Sequence, residues 1–480
     1  MVYKRESFIQ KHRDTLKELS LVLTHSKHET VPRWKVLAGC EKLETFRVMF
    51  GRIRPEDWIA CWSAWRRLKS LEVKFVRFQK PVRVAENDAN YVGDSAHVPE
   101  EGSHITSGSD SLDHQSNGAD NRNTLSQEII GPIVWDWPDF SNLVPAMRLR
   151  HICLVNLNGL SVADQLSIIQ QCPRIESLQW NLSTAHERIP LLDMAESMSQ
   201  EAWPRLVDLD LMGGVSRDAE VASMLGAIDQ GLHRLSLVNS GFAKLSLCAL
   251  LHPRTKHFDI IGGNLAARSP HAQSLVQLEL GLCRFVTSPM AQKIMESCPN
   301  LKVLKVVRLA DRDILYRSND DDQEQYSHQQ PELLQEAAPW VCIKLEKLEL
   351  GRIEMKADAQ SAGPVSPNNR AILDKLAQLT KLQHLRLRDC DEYGAATADP
   401  GGTLVLSLDH GLEKLTHLKD LITVTFDGQQ QDMGEQDLRW MARTWPKLAS
   451  LEGVISVNPE TKRELEGWLE SRGVTWYSVE

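Results

Sequence analysis

The chain has no apolar run near the roughly 18 residues that a membrane-spanning helix needs, so no span is expected in its 480 residues. Its first residues, Met1-Val2-Tyr3-Lys4-Arg5, lack the apolar stretch of a secretory leader. Nine cysteines are present, an odd number, with no Cys-x-x-Cys pair among them. That excludes a disulfide framework and points to free thiols in a reducing compartment, cytoplasmic or nuclear. Also missing are Gly-x-x-x-x-Gly-Lys-Ser/Thr, His-Glu-x-x-His, Gly-x-Ser-x-Gly and Gly-x-Gly-x-x-Gly. Phosphate-cradling, zinc-hydrolase, nucleophile-elbow and dinucleotide chemistries therefore have no motif here.

Weaker chemical candidates fail on spacing. His25 and His28 have no cysteine partner, so no zinc site is expected. Asp320-Asp321-Asp322 lacks the alternating ligands and the glycine of a calcium loop. Catalytic, cofactor-binding and metal-ligating residues are all expected to be absent.

Charge is unevenly placed. The formal net charge is −9. Residues 1–84 hold 19 Lys and Arg against 9 Asp and Glu, while residues 85–128 hold one Arg against nine acids. A basic end of this kind fits nucleic acid or an acidic partner. The aromatic residues beside it, Trp58, Trp62 and Trp65, are spaced for burial on one helix face. Stacking on bases would require exposed rings, so nucleic acid is not the expected partner.

What the chain does have is a repeat. Leu-x-x-Leu-x-Leu starts at Leu16, Leu206, Leu232, Leu275, Leu345 and Leu382. Relaxed to other apolar residues, it also starts at Leu43, Leu68, Leu149, Ile175, Leu301, Leu418 and Leu448, with a degenerate unit at Thr255. Most intervals lie at or near the roughly 20–29 residues of one strand plus one helix. Helical faces precede the strands, as in Ala291, Ile294, Met295 and Cys298. Three residues before the motif stands Cys or Trp, at Cys40, Trp65, Cys172, Trp203, Cys298, Cys342 and Trp445. Proline follows at Pro173, Pro204, Pro299 and Pro446, where it stops the helix and turns the chain toward the strand. The predicted fold class is α/β: a curved leucine-rich-repeat solenoid with a parallel sheet on the concave side and helices on the convex side.

Residues 1–83 are read as the N-terminal units, 126–310 as the central units, and 339–480 as the C-terminal units with a closing helix from Pro459. Between them lie 84–125, acidic and of disordered composition, and 311–338, with eight acids and two arginines. No N-terminal cap is evident, which predicts an apolar end in need of a cover.

The run Cys298-Pro299-Asn300-Leu301-Lys302-Val303-Leu304-Lys305-Val306 resembles the cysteine-containing leucine-rich repeats of F-box/LRR proteins. More broadly it is similar to the ribonuclease-inhibitor-like superfamily. The resemblance implies a non-enzymatic interaction scaffold, with substrate recognition in an F-box-type ubiquitin ligase as its role. No F-box is visible in the chain, so ligase components are expected as partners only if that module lies elsewhere. The alternative is a regulatory repeat protein that activates or inhibits a GTPase or another enzyme, through a surface residue such as Arg47 or Arg234.

In either reading the partner is a protein, and it meets the residues between the leucines. These alternate out of the core onto the concave face. The candidates are Arg47, Glu72, Lys74, Gln179, Asp208, Asp210, Arg234, Glu279, Lys305, Glu349, Arg386 and Arg388. The row is polar, mixed in sign and different in each unit, which suits discrimination by charge.

Overall fold

The computed structural model describes residues 2–22, 34–78, 146, 148–182, 187–200, 202–214, 216–252, 269–310, 314–315, 338–355, 367–387, 402–431, 433–455 and 459–477. The strands are β1 Glu18–Val22, β2 Thr45–Met49, β3 Arg52–Ile53, β4 Ser70–Lys74, β5 Arg77–Phe78, β6 His151–Val155, β7 Ser177–Asn181, β8 Asp208–Met212 and β9 Arg234–Val238. They continue as β10 Gln277–Glu279, β11 Val303–Ala310, β12 Lys347–Met355, β13 His384–Leu387, β14 Gly402–Thr403, β15 Thr423–Gln431, β16 Ser450–Ile455 and β17 Thr475–Tyr477. One sheet runs β1-β2-β4-β6-β7-β8-β9-β10-β11-β12-β13-β15-β16-β17, every neighbour on this path parallel, with β14 antiparallel on β12. The short strands β3 and β5 pair beside it.

The register follows from the motif. Its fourth residue aligns from coil to coil: Leu19 faces Phe46, Phe46 faces Leu71, and Leu71 faces Ile152. The same row continues through Leu178, Leu209, Leu235, Leu278 and Leu304. From Phe46 onward these side chains are buried with the helix faces in one core along the ladder, and the partly buried Leu19 packs against its end. A single coil cannot cover its own leucines, so stability resides in the contact between coils. Each fully buried leucine contributes about 2 kcal/mol, and shifting a strand by one residue would turn the row to solvent.

Cys and Trp at the position before the strand are all buried. They end the helical segment in different ways. The Cys172 thiol donates to Ile168 O in its own helix, at 3.3 Å. The tryptophans reach into the preceding coil instead: Trp65 Nε1 donates to Leu37 O at 3.0 Å, Trp203 Nε1 to Ile169 O at 3.3 Å, and Trp445 Nε1 to Leu415 O at 3.1 Å. Each of these carbonyls already accepts a backbone N–H three residues on, and the indole adds a second bond from the next coil.

At the eighth motif position the chain leaves the sheet through a left-handed residue. Phe50, Phe75, Asn156, Asn239 and Leu282 all have φ between 53° and 62°. Asparagine accepts this conformation more readily than phenylalanine or leucine.

Two expectations need correction. The unit read from Leu418 starts three residues later, at Leu421: β15 opens at Thr423, which faces His384, and the buried side chains are Leu421, Val424 and Phe426. Leu415, Leu418 and Leu421 repeat at three-residue spacing, so the leucines alone did not fix the phase. The degenerate unit at Thr255 has no rung in the ladder, because β9 pairs directly with β10; Thr255 itself lies outside the described residues. So do the insertions 84–125 and 311–338, apart from Ala338 and from Ile314 and Leu315, which are buried.

At the N-terminus the helix Val2–His12 seats Ile9 in the core and leaves Phe8 exposed. At the C-terminus the helix Pro459–Glu470 buries Leu465 and Leu469 ahead of β17.

Candidate functional site

The fifth motif position forms the central row of the open sheet face. Register places Arg47 beside Glu72, and Glu72 beside Cys153. Gln179 then stands beside Asp210, and Asp210 beside Ser236. Glu279, Lys305, Glu349 and Arg386 follow in order. Lys74 sits at the seventh position, and Asp208, Arg234 and Lys347 at the third. The structure therefore brings together eleven of the twelve residues expected on this face; Arg388 lies outside the described residues.

The row is internally paired, which sequence reasoning missed. Glu72 holds two cations, with Arg47 Nε at 3.2 Å and Lys74 Nζ at 2.8 Å. The hydrogen bond from Lys74 raises that amine's pKa. In the middle, the Cys153 thiol donates to Gln179 Oε1 at 3.0 Å, and Gln179 Nε2 donates to Asp210 Oδ2 at 3.0 Å. Arg234 stands 4.0 Å from the same carboxylate, and the Ser236 hydroxyl also hydrogen-bonds to it. Further on, Glu349 Oε1 is 3.5 Å from Lys305 Nζ, and Oε2 is 3.7 Å from Lys347 Nζ. Glu279 accepts from Gln277. One signal was available in the sequence: equal motif positions stand side by side, so alternating signs at that position imply contact.

Burial shapes the electrostatics. Desolvation raises the Asp210 pKa, opposed by its hydrogen bonds and Arg234 and reinforced by the Glu279 charge. Desolvation pushes the Cys153 thiol up to about 11 despite Lys74 nearby, so it stays protonated and unreactive at neutral pH. Arg47 and Arg234, the arginines a regulator would offer to a partner's active site, both stand against carboxylates. Exposed ion pairs of this kind contribute about 0–1 kcal/mol each. Their effect is to fix the side chains in one pattern. Among the described residues, no group of three or more His, Cys, Asp or Glu is placed to hold a metal ion. No helix among them is long and apolar enough to cross a membrane.

The tryptophans Trp58, Trp62 and Trp65 are helix core, as their spacing predicts. An exception among the basic N-terminal coils is Phe75, which is 40% exposed and stacks on Phe50 with ring centroids 5.1 Å apart.

No family model matches the chain, and no curated protein matches it in sequence. Solved structures align with it at low similarity. An internalin from Listeria monocytogenes shares 11% identity with a TM-score of 0.39, over 98% of this chain and 89% of that one. The Rad7 and Elc1 complex in yeast aligns at 9% identity with a TM-score of 0.41, over 99% of this chain and 88% of that one. The parallel ladder itself, with leucines in register on the helix side, makes the chain an α/β leucine-rich-repeat solenoid.

Proposed function

We propose that the chain is a non-enzymatic protein-interaction scaffold that receives its partner along the open sheet face. The observation that carries this reading is the central row, in which polar side chains line up from coil to coil along the ladder and several of them pair with a neighbour. A prearranged surface loses little side-chain entropy on binding, and its alternating charge selects among partners. Chemical cross-linking of the affinity-purified native complex tests the reading. Cross-links should fall on Lys74, Lys305 and Lys347. Charge reversal at Asp210 and Glu279 should weaken capture about tenfold or more. Cross-links confined to the helix side, with capture unchanged by those reversals, would refute it.

Within that role, the Cys-Pro repeat signature favours substrate recognition in a ubiquitin ligase of the F-box type. Recovery of a Skp-type adaptor and a cullin with the full-length protein supports this narrower role, and their absence removes it.

A further inference from the structure

The rim of the first coils holds a second surface that the polar row does not use. Phe50 and Phe75 leave β2 and β4 in the left-handed conformation, where Asn156 and Asn239 stand in later coils. Phenylalanine carries a steric penalty there that asparagine largely escapes. Yet the two rings lie nearly parallel, 11° apart, and Phe75 is 40% exposed. Two residues on, Arg52 of β3 and Arg77 of β5 stand directly opposite each other in parallel register, both exposed. Neither pairs with an acid among the described residues. Like charges side by side repel. Arg47, at the near end of the row, is held by Glu72 and does not join them. The surface thus combines a strained, solvent-facing apolar ring with unneutralised cations. The left-handed backbone at Phe75 and the facing guanidiniums both work against the stability of the fold.

The geometry points to a docking site for a short acidic peptide segment of a partner protein. An apolar side chain of the peptide would pack on the rim of Phe75, and its carboxylates would pair with Arg52 and Arg77. Arginine forms planar two-point contacts with carboxylates, and a local excess of 19 basic over 9 acidic residues in 1–84 steers such a segment in. A single-stranded nucleic acid fits less well. The rings spend one face each on the other, whereas stacking on bases uses free faces, and the whole chain carries −9. The site lies outside the central row, so it goes beyond the scaffold reading and stands or falls separately from it.

Selection of a phage-displayed library of random dodecapeptides on the full-length protein is the test, followed by fluorescence anisotropy of the selected peptides. The expected sequences are rich in Asp and Glu and contain an aromatic or branched aliphatic residue. Phe75→Asn, which suits the left-handed backbone, and Arg52→Gln with Arg77→Gln should each weaken them about tenfold. Melting temperatures should stay within a few degrees of the parent, and charge reversal at Asp210 and Glu279 should leave the affinity unchanged. Selected peptides that ignore these substitutions overturn the proposal. So does tighter binding of oligothymidylate than of the peptides. Peptide binding that appears only after deletion of residues 85–128 overturns it as well, because the chain's own acidic residues would then be the occupant.

Discussion

The indole of Trp65 donates to the carbonyl oxygen of Leu37 at 3.0 Å, joining the end of one coil to the helix of the coil before it. Leu37 O already accepts from Cys40 N at 3.0 Å, so the indole bond is a second one on the same oxygen. Trp203 and Trp445 repeat the arrangement with Ile169 and Leu415. Trp65→Phe keeps most of the packing and deletes this bond. It should cost about 1 kcal/mol in urea unfolding. Trp65→Ala opens a cavity and should cost about 3–5 kcal/mol. Equal losses for the two variants would mean the bond contributes nothing.

Gly453 faces Phe426 across β16 and β15, at a motif position that most other coils fill with an aliphatic side chain. Its φ is 154°, and a Cβ there would stand 2.0 Å from the Phe426 ring. The ring occupies the space of two rungs. Gly453→Leu restores the repeat pattern and should nevertheless destabilise by about 2–3 kcal/mol through overpacking. Combining it with Phe426→Leu should recover part of that loss, because residues in contact do not act additively. A stable single variant would show that the ring has another place to go.

Glu349 is the anion between Lys305 and Lys347, with a side chain only 7% exposed. Glu349→Gln keeps the shape and leaves the two ammonium groups facing a neutral amide. The expected loss is about 1–2 kcal/mol, read from chemical unfolding at low salt. Because the lysines are partly exposed, raising the ionic strength should shrink the difference from the parent. A loss that salt does not touch would point to packing instead.

His271 is buried between coils, its Nδ1 accepting from Leu232 N and its Nε2 donating to Leu225 O, each at 3.2 Å. Burial holds its pKa below the ordinary histidine value, with the Leu225 bond opposing. A proton on Nδ1 would break the bond from Leu232. The unfolded chain takes up that proton near pH 6.5, and the folded chain only at lower pH. The stabilisation is therefore complete above about pH 6.5 and is lost as pH falls through the folded pKa, with a slope of at most ~1.4 kcal/mol per pH unit. Comparing urea unfolding at about pH 7.5 and about pH 5.5, the parent should lose more stability than His271→Gln. Equal losses would exclude His271 as the group responsible.

The fold was legible wherever one leucine pattern had one phase. Leu206, Leu209 and Leu211 leave no choice, and β8 opens where they place it. Around Leu418 the leucines repeat every third residue, so several phases satisfy the same pattern; Phe426 in the sixth position marks the true one. The unit at Thr255 matched on period and weak hydrophobicity, yet the ladder closes from Arg234 to Gln277 without it. For the candidate site, the identities of the row were readable, and its pairing only in part. Whether Cys153 meets Gln179 or Lys305 meets Glu349 depends on which coils are neighbours. Insertions of unequal length conceal that until the register is known. The exposed ring of Phe75 was hidden for a related reason, since an aromatic at a strand exit reads like any other core residue.

β4 and β6 stand side by side and in register, although residues 75–150 separate them in the chain. Loop-closure entropy grows only with the logarithm of length. Spanning that distance costs about 1 kcal/mol more than spanning an ordinary coil. The junction can therefore change in length between Phe78 and Ala146 at little entropic cost, provided the buried Val76, Phe78 and Leu149 at its ends keep their places. A folded guest domain with neighbouring termini could be grafted there and carried at a fixed place along the array, while the strands on either side keep their partners.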